Sequence, residues 1–408
     1  MKQMRRVQAI ILLLAAFAAG RAFAETKFIA ASGAGKLENI DGVRVVTLAG
    51  TPHEIGIQHG TLLKTEIKDL VNYFFVEKKN LFGTSKETIS QGAKILEKHI
   101  PAEYIEEMKG IAEGAGVEYD LILFTNTFLD VVSANWVGAR PSCSNFAAFP
   151  GMSKNGDVVH GRNLEWSPDQ KISDMNTVFF ITPKDGATLV MLSWPGMTGT
   201  LTGMNANGIS MGEMTSMSSD ATLEATPIMI QLRMLLERSK TLEEAWSVLA
   251  DVPRTTGYNV LVTDGKSNSG FVAEMNAKHI IRYNPEGGFL MHTNHYVDKN
   301  MYKAQKKYLY LFSGGAKADT FLRYDRYLDL LKQYQGAIDV QTAITILSDK
   351  YDPLLKAVSG QSNNSISSTH TLQSAVMLPK TGDIYVALRA LPAPDGGYVH
   401  LQLPMKDK

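Results

Sequence analysis

The sequence predicts an α+β chain in which sheets pack on each other and helices cover them. Three observations carry this. Before about residue 140 the apolar residues recur mainly at helical spacing. From Cys143 onward, short apolar runs separated by turn signals dominate. Helix-patterned pairs then fall between the strand runs. The 408 residues allow two domains or one large one, and no linker, repeat or low-complexity tract divides them.

Thr51-Pro52-His53-Glu54 reads as a capping box with proline at the first helical position. It opens a helix carrying Ile55, Leu62, Leu63, Ile67, Leu70, Val71 and Phe74, on which Gly56 and Gly60 share a face that invites close approach. Pro101 starts a second helix through Tyr104, Met108 and Ile111, closed by Gly114 and Gly116. Strands are expected at Phe146–Phe149, Val158–Asn163, Thr177–Thr182 and Thr188–Trp194. Hairpin signals at Lys154-Asn155-Gly156-Asp157 and Lys184-Asp185-Gly186 separate them. Gly203–Ile209 is a further strand-turn-strand unit. Helices follow at Pro227–Arg238 and from Thr241, where Glu244 is the capping partner. Strands resume at Tyr258–Thr263, Gly270–Met275 and His279–Tyr283. Helices at Thr320–Tyr334 and Val340–Leu347 precede closing strands at His370–Leu378, Asp383–Leu388 and Tyr398–Leu403.

Residues 1–24 have the form of a cleavable signal peptide. Lys2, Arg5 and Arg6 precede an apolar core from Ala9 to Gly20, and Ala22-Phe23-Ala24 ends it. The expectation is a periplasmic or secreted protein cut after Ala24, with no integral membrane contact; an uncleaved anchor is the alternative. Removal leaves 37 of the 41 basic residues against 41 acidic ones, a net of −4. That unclustered balance argues against nucleic acid and against a polybasic membrane surface.

Cys143 is the only cysteine. In an exported protein it cannot form an internal disulfide, so it is buried filler, an intermolecular crosslink or a nucleophile. A thiol needs something to lower its pKa or take its proton. Arg162 and Glu165, one hairpin later, could fold back beside it. A carboxylate there is tolerable only if a cation lies between. An α-amino group, with a reference pKa of about 7.7–8.0, fits if cleavage of the Ser142–Cys143 bond makes Cys143 a chain terminus. Arg162 with Glu165 also reads as a structural ion pair, and Asn294 as an ordinary turn asparagine.

Several motifs stand in order along the chain. They are Gly50, Glu54, Gly56 and Gly60; Asn126 with Asp130; and Cys143 followed by His160-Gly161-Arg162-Asn163-Leu164-Glu165-Trp166. Then come Gly203-Met204-Asn205 with Gly208; Asp264-Gly265 with Glu274; Thr293-Asn294-His295; Arg323-Tyr324 with Arg326; and His370, Pro379 and Ile384-Tyr385-Val386-Ala387. The set resembles the cysteine-type N-terminal-nucleophile hydrolases over nearly the whole length. It is most similar to the isopenicillin-N acyltransferase-like branch, with acid ceramidase and choloylglycine hydrolase as more distant relatives.

The resemblance implies a four-layer αββα sandwich of two packed antiparallel sheets. It also implies a precursor that cuts itself between Ser142 and Cys143. A helical segment 25–142 and a catalytic segment 143–408 would then stay associated as one globular unit. By position, Cys143 is the nucleophile, Arg162 the arginine beside the thiol and Glu165 the acid that holds the α-amine. Asn294 is the oxyanion donor, and Arg323 is the late site arginine. Glu165 departs from the family's aspartate by one methylene, and Met214 stands where bile-salt hydrolases place an asparagine.

His292 and His295 have a metal-ligand look, but no third ligand at a sensible spacing accompanies them. His295 is expected as packing or as polar support for Asn294, and no metal or cofactor is expected. Tyr310, in the run Tyr308–Gly315, is a candidate lip over an acyl pocket, with strand or core as the alternative. Met214 is a candidate pocket residue, with core packing as its alternative. The expected function is a hydrolase of linear acyl amides, a small-molecule substrate class. Acyl transfer of the penicillin-biosynthetic type and a non-catalytic binding protein are the alternatives.

Overall fold

The computed structural model describes residues 25–78, 83–135, 142–313 and 318–406. The expected signal peptide lies outside the described residues. Among the described residues, no helix is long and apolar enough to cross a membrane.

Strands β1 (Thr26–Ser32), β2 (Gly35–Ile40) and β3 (Val43–Gly50) come first. They correct the expectation that the segment before residue 142 is helical. Asp41 and Gly42, at φ 47° and 85°, make the β2–β3 turn. Two positive φ values are what a tight hairpin with the right twist requires. Val43, Val45, Val46 and Leu48 are buried along β3.

Helix α1 (Pro52–Leu62) starts at the predicted capping box: Thr51 accepts from the Glu54 N–H, and Glu54 takes the Thr51 N–H at 2.8 Å. Next come α2 (Lys64–Asn72), a π-helical turn (Tyr73–Glu77), α3 (Lys86–Glu97), α4 (Ala102–Ala115) and α5 (Tyr119–Asn135). Gly56 and Gly60 of α1 lie against Gly110 and Gly114 of α4. A Cβ at Gly56 would fall 2.1 Å from Glu107 O, and one at Gly60 would fall 2.3 Å from Ile111 O. The glycine face is thus a backbone-to-backbone helix contact.

The chain continues through β4 (Ser144–Ala148), β5 (Val159–Glu165), α6 (Gln170–Ser173), β6 (Thr177–Pro183) and β7 (Leu189–Ser193). Then come β8 (Thr202–Asn205), β9 (Ile209–Thr215), α7 (Ile228–Arg238) and α8 (Leu242–Asp251). Strands β10 (Tyr258–Asp264), β11 (Ser269–Met275), β12 (Ile280–Tyr283) and β13 (Phe289–His292) lead to α9 (Lys299–Ser313), α10 (Asp319–Gln333) and α11 (Val340–Leu347). A small hairpin of β14 (Tyr351–Asp352) and β15 (Ala357–Val358) precedes β16 (Thr371–Leu378), β17 (Asp383–Ala387) and β18 (Val399–Gln402).

Ten strands form one sheet in the order β1-β2-β3-β6-β7-β8-β9-β10-β11-β12, and six form a second, β13-β4-β5-β16-β17-β18. Helices α1, α7 and α8 cover the first, and α10 and α11 the second. The result is the expected αββα sandwich. One detail differs: β3 and β6 pair in parallel. The connection between them runs through α1–α5 and the hairpin of the other sheet, so the chain re-enters in its original direction. Between the sheets, Val43, Val45, Val178 and Val190 meet Ala375, Met377, Ile384 and Val386. Full burial of each of the larger side chains is worth roughly 1.5–3 kcal/mol.

Candidate active site

Strand alternation sorts the site residues into two groups. On β5, His160, Arg162 and Leu164 face the ten-stranded sheet, while Asn163 and Glu165 face α10 and α11. His160 Nδ1 lies 2.8 Å from Ser210 Oγ of β9, and Arg162 Nη2 donates to Glu213 O of β9 at 2.8 Å. On the other face, Asn163 Nδ2 donates to Leu347 O of α11 at 2.9 Å. Glu165 Oε2 lies 3.6 Å from Arg323 Nη1 of α10. Arg162 and Glu165 are therefore not each other's ion-pair partners. Three residues apart on a strand, they point to opposite sides. Arg162 is instead 3.9 Å from Glu213 Oε2, with both side chains 1% exposed.

Cys143 leads into β4, whose Ser144 pairs with Asn163 of β5. Its thiol is buried and lies 3.8 Å from Glu165 O. Burial pushes the thiol up to about 12, against the pull of Arg162. Cys143 is thus a protonated thiol at neutral pH. Ser142, the residue before it, is 1% exposed and directs its hydroxyl to Asp319 Oδ2 at 3.4 Å.

Arg323 is the hub of the second group. It is fully buried, donates to Cys143 O at 2.9 Å and to Asn294 Oδ1 at 3.1 Å, and faces Glu165. Asn294 Nδ2 donates to Thr215 O at 2.9 Å, and its backbone N–H donates to Thr320 Oγ1 at 2.9 Å. His295 Nδ1 lies 2.9 Å from the same Thr320 hydroxyl, and its ring packs on Phe321 at a centroid distance of 4.2 Å. Thr371 Oγ1 donates to Glu165 Oε1 at 3.2 Å. Burial raises the Glu165 carboxyl to about 8, and Arg323 is the chief group pulling it down. Burial likewise lifts Glu213 to about 7 against the pull of Arg162. Six buried polar atoms here have no hydrogen-bond partner: Asn145 Nδ2, Arg162 Nε and Nη1, Glu165 Oε2, Arg323 Nε and Glu213 Oε2. Buried polar groups are ordinarily paired, and the arginine and glutamate atoms belong to two ion pairs, Arg162 with Glu213 and Arg323 with Glu165, one on each face of β5.

An apolar cavity of about 50 Å³ has walls that include Leu164, Trp166, Phe74, Phe128, Trp194 and Met197. Leu164 and Trp166 flank Glu165, whose carbonyl is the thiol's neighbour. Thr125 is the polar residue of the wall, and its hydroxyl is spent on Leu121 O at 2.8 Å. The volume could take a water, but the wall offers it no partners.

Two expected pocket residues do not line this cavity. Met214 is fully buried core on β9, and Tyr310 is 68% exposed on α9, which replaces the expected lip or strand. His292 Nε2 lies 2.8 Å from Glu274 Oε1. Among the described residues, no group of three or more His, Cys, Asp or Glu could hold a metal ion.

Glu213, Thr371, Thr320 and Asn145 belong to the cluster although the sequence did not single them out. A signal existed for Glu213, a charge inside an otherwise strand-like run next to Gly212. A Cβ at Gly212 would fall 2.1 Å from Asn145 Oδ1 and 2.8 Å from Arg162 Cδ. Glycine there lets Arg162 cross β9.

The four-layer sandwich is the fold class of the N-terminal-nucleophile hydrolases. The chain belongs to the acyl-coenzyme A:6-aminopenicillanic acid acyl-transferase family, whose model matches residues 152–390, more than half of it. That match begins after Cys143 and takes in Arg162, Glu165, Asn294 and Arg323. An uncharacterized protein of Archaeoglobus fulgidus is 24% identical over 81% of this chain and 62% of its own length. Protein dcd1B of Dictyostelium discoideum is 24% identical over 65% of this chain and 57% of its own length. The chain thus spans about three fifths of these relatives. The acyl-coenzyme A:6-aminopenicillanic-acid-acyltransferase 40 kDa form of Emericella nidulans is 22% identical over 75% of this chain and 82% of its own length. Among solved structures, a Caenorhabditis elegans N-acylethanolamine-hydrolyzing acid amidase ortholog aligns at TM-score 0.43 and 18% identity, covering 64% of this chain and all of that one.

Proposed function

We propose that the chain is an exported, self-processing amidohydrolase that cleaves linear acyl amides through the thiol of Cys143. The observation that carries this is the convergence on Cys143, with Arg323 on its carbonyl and Arg162 on its thiol side; the neighbours of Glu165 in sequence, Leu164 and Trp166, lead on to an apolar cavity. In self-processing, the thiol attacks the Ser142 carbonyl and its proton passes to the Cys143 nitrogen. The C–N bond then breaks and water hydrolyses the thioester. The freed α-amine becomes the base for its own thiol. Glu165, whose Oε2 makes no hydrogen bond and lies 3.6 Å from Arg323, is the acid available to hold that amine. In turnover the same thiol takes the acyl group and the amine protonates the departing nitrogen. Water completes the cycle. Asn294 has one Nδ2 hydrogen left over for the oxyanion. The wall chemistry of the cavity favours an apolar acyl group.

Acyl transfer is the second reading, favoured by the family match: another amine would then replace water at the thioester. Hydrolysis fits better outside the cytoplasm, where activated acyl donors are scarce. A denaturing gel with N-terminal sequencing tests the proposal. Two fragments, 25–142 and 143–408, with the second starting Cys-Ser-Asn-Phe, are expected. Cys143→Ala should stay uncut and inactive. One band for the wild type, with Cys143 unreactive to iodoacetamide, would refute the self-processing enzyme and leave a binding protein.

A further inference from the structure

The turn Trp194–Thr200, between β7 and β8, supplies Trp194 and Met197 to the cavity wall. Its glycines, Gly196 and Gly199, make it intrinsically loose. It is nevertheless pinned from three directions by buried side chains. Asn126 of α5, fully buried, accepts from Thr198 N at 2.7 Å and Gly199 N at 3.2 Å, and donates to Gly196 O at 3.0 Å. His59 Nε2 accepts from Gly196 N at 2.9 Å. Burial holds the imidazole down at about 3, so it is neutral and free to accept. Arg233 Nη1 donates to Thr198 O at 2.9 Å, and Arg233 itself is locked by Glu237 at 2.7 Å and Glu107 at 3.3 Å. The neighbours of Asn126 on α5, Thr125, Phe128 and Leu129, form the facing wall of the same cavity.

We propose that the Trp194–Thr200 turn selects the acyl group and that Asn126 is the positioning residue that fixes its width. The inference rests on the amidohydrolase reading above. One side chain ties the two walls together: α5 carries the first, and Asn126 holds the second in register with it. Removing Asn126 leaves two N–H groups and one carbonyl of the turn unpaired, so the turn relaxes and the walls lose their spacing. A small acyl group that leaves the cavity unfilled is insensitive to this. A longer apolar group is sensitive.

The test is a panel of fluorogenic amides running from acetyl to longer aliphatic and arylacetyl groups. For Asn126→Ala, kcat/KM on the wild type's preferred acyl group should fall about tenfold or more, mainly through KM, the scale on which apolar pockets discriminate. The acetyl amide should keep its kcat within about twofold. Asn126→Asp retains both accepted bonds and should lie between. Met197→Ala, which alters the wall and leaves the anchors intact, should move the preference toward bulkier acyl groups. An unchanged acyl preference in both Asn126→Ala and Met197→Ala would overturn the inference. So would a uniform fall in kcat across the panel, the mark of a merely structural role. A wild type that cleaves the panel without discrimination also refutes it while sparing the activity reading. One that cleaves no member removes that reading and this inference with it.

Discussion

Arg323→Met should destabilise the uncut chain in a way that depends on pH. Two of the guanidinium's partners are neutral acceptors, Cys143 O at 2.9 Å and Asn294 Oδ1 at 3.1 Å. Stranding them costs about 1 kcal/mol each at any pH. The third is the Glu165 carboxyl at 3.6 Å. Its attraction is roughly 4–5 kcal/mol gross at an effective dielectric of about 20. Burial puts that carboxyl up at about 8, above its ordinary 4.5. A folded-state pKa above the unfolded one means the folded chain keeps a proton that the unfolded chain has released. The stability Glu165 contributes is therefore complete below 4.5 and is lost as pH rises through about 8. At pH 6 Glu165 is protonated, and Arg323→Met should cost only the roughly 2 kcal/mol of the two hydrogen bonds. At pH 9 the wild-type carboxyl has ionised beside Arg323 while the variant's, without that pull, keeps its proton, so the cost should rise by about 1.4 kcal/mol to roughly 3–4 kcal/mol. Adding Glu165→Gln should cancel the pH-dependent part.

The assay is urea unfolding of the Cys143→Ala chain, its Arg323→Met and Glu165→Gln variants, and the double variant, at both pH values. The Cys143→Ala background keeps every species uncut and comparable. A loss equal at pH 6 and pH 9, or a coupling below about 0.5 kcal/mol at pH 9, would refute the reasoning. Other buried acids titrate in all four proteins and drop out of the cycle.

Gly212→Ala should cost about 1–3 kcal/mol, because its Cβ collides with Asn145 and Arg162; a lower urea midpoint with slower self-cleavage on gels is the expected result. Asp130 is fully buried and accepts from Ile228 N, Thr255 and Tyr258, and burial raises it from 3.8 to about 6. Its stabilising proton is thus lost as pH rises through about 6, so Asp130→Asn should gain on the wild type by up to roughly 3 kcal/mol between pH 4 and 6.5, read by urea unfolding.

Much of the fold after residue 143 was legible because its strands are cut by Asn-Gly and Asp-Gly turns and some of its helices begin at capping residues. Thr241, for example, accepts from Glu244 N as expected. The strand Phe289–His292 and the helix Lys299–Ser313 were not read. The first three strands were not read, although Asp41-Gly42 carries the same turn signal. Helix α5 escaped for a physical reason: it is buried from Ile122 to Ser133 on most of its surface, so no polar face gives it a period. The site was half legible. Cys143, Arg162, Glu165, Asn294 and Arg323 do converge. Their true partners, Glu213, Thr371 and Thr320, are chosen by sheet pairing and helix docking across long separations, which no local spacing encodes.

The same topology explains how one strand serves two purposes. On β5, odd and even positions point to different layers, so Arg162 can attend the thiol within the sandwich while Glu165 meets Arg323 on the helical side. The Cys143 nitrogen belongs to neither face, being backbone at the end of β4. On the helical side, Glu165 Oε2 makes no hydrogen bond and lies 3.6 Å from Arg323 Nη1. The extra methylene of glutamate lengthens the arm that Thr371 holds at Oε1 and Arg323 faces at Oε2. Glu165→Asp therefore shortens the reach to Arg323 as well as to the amine, and a return to the family's usual acid at this position should weaken both contacts.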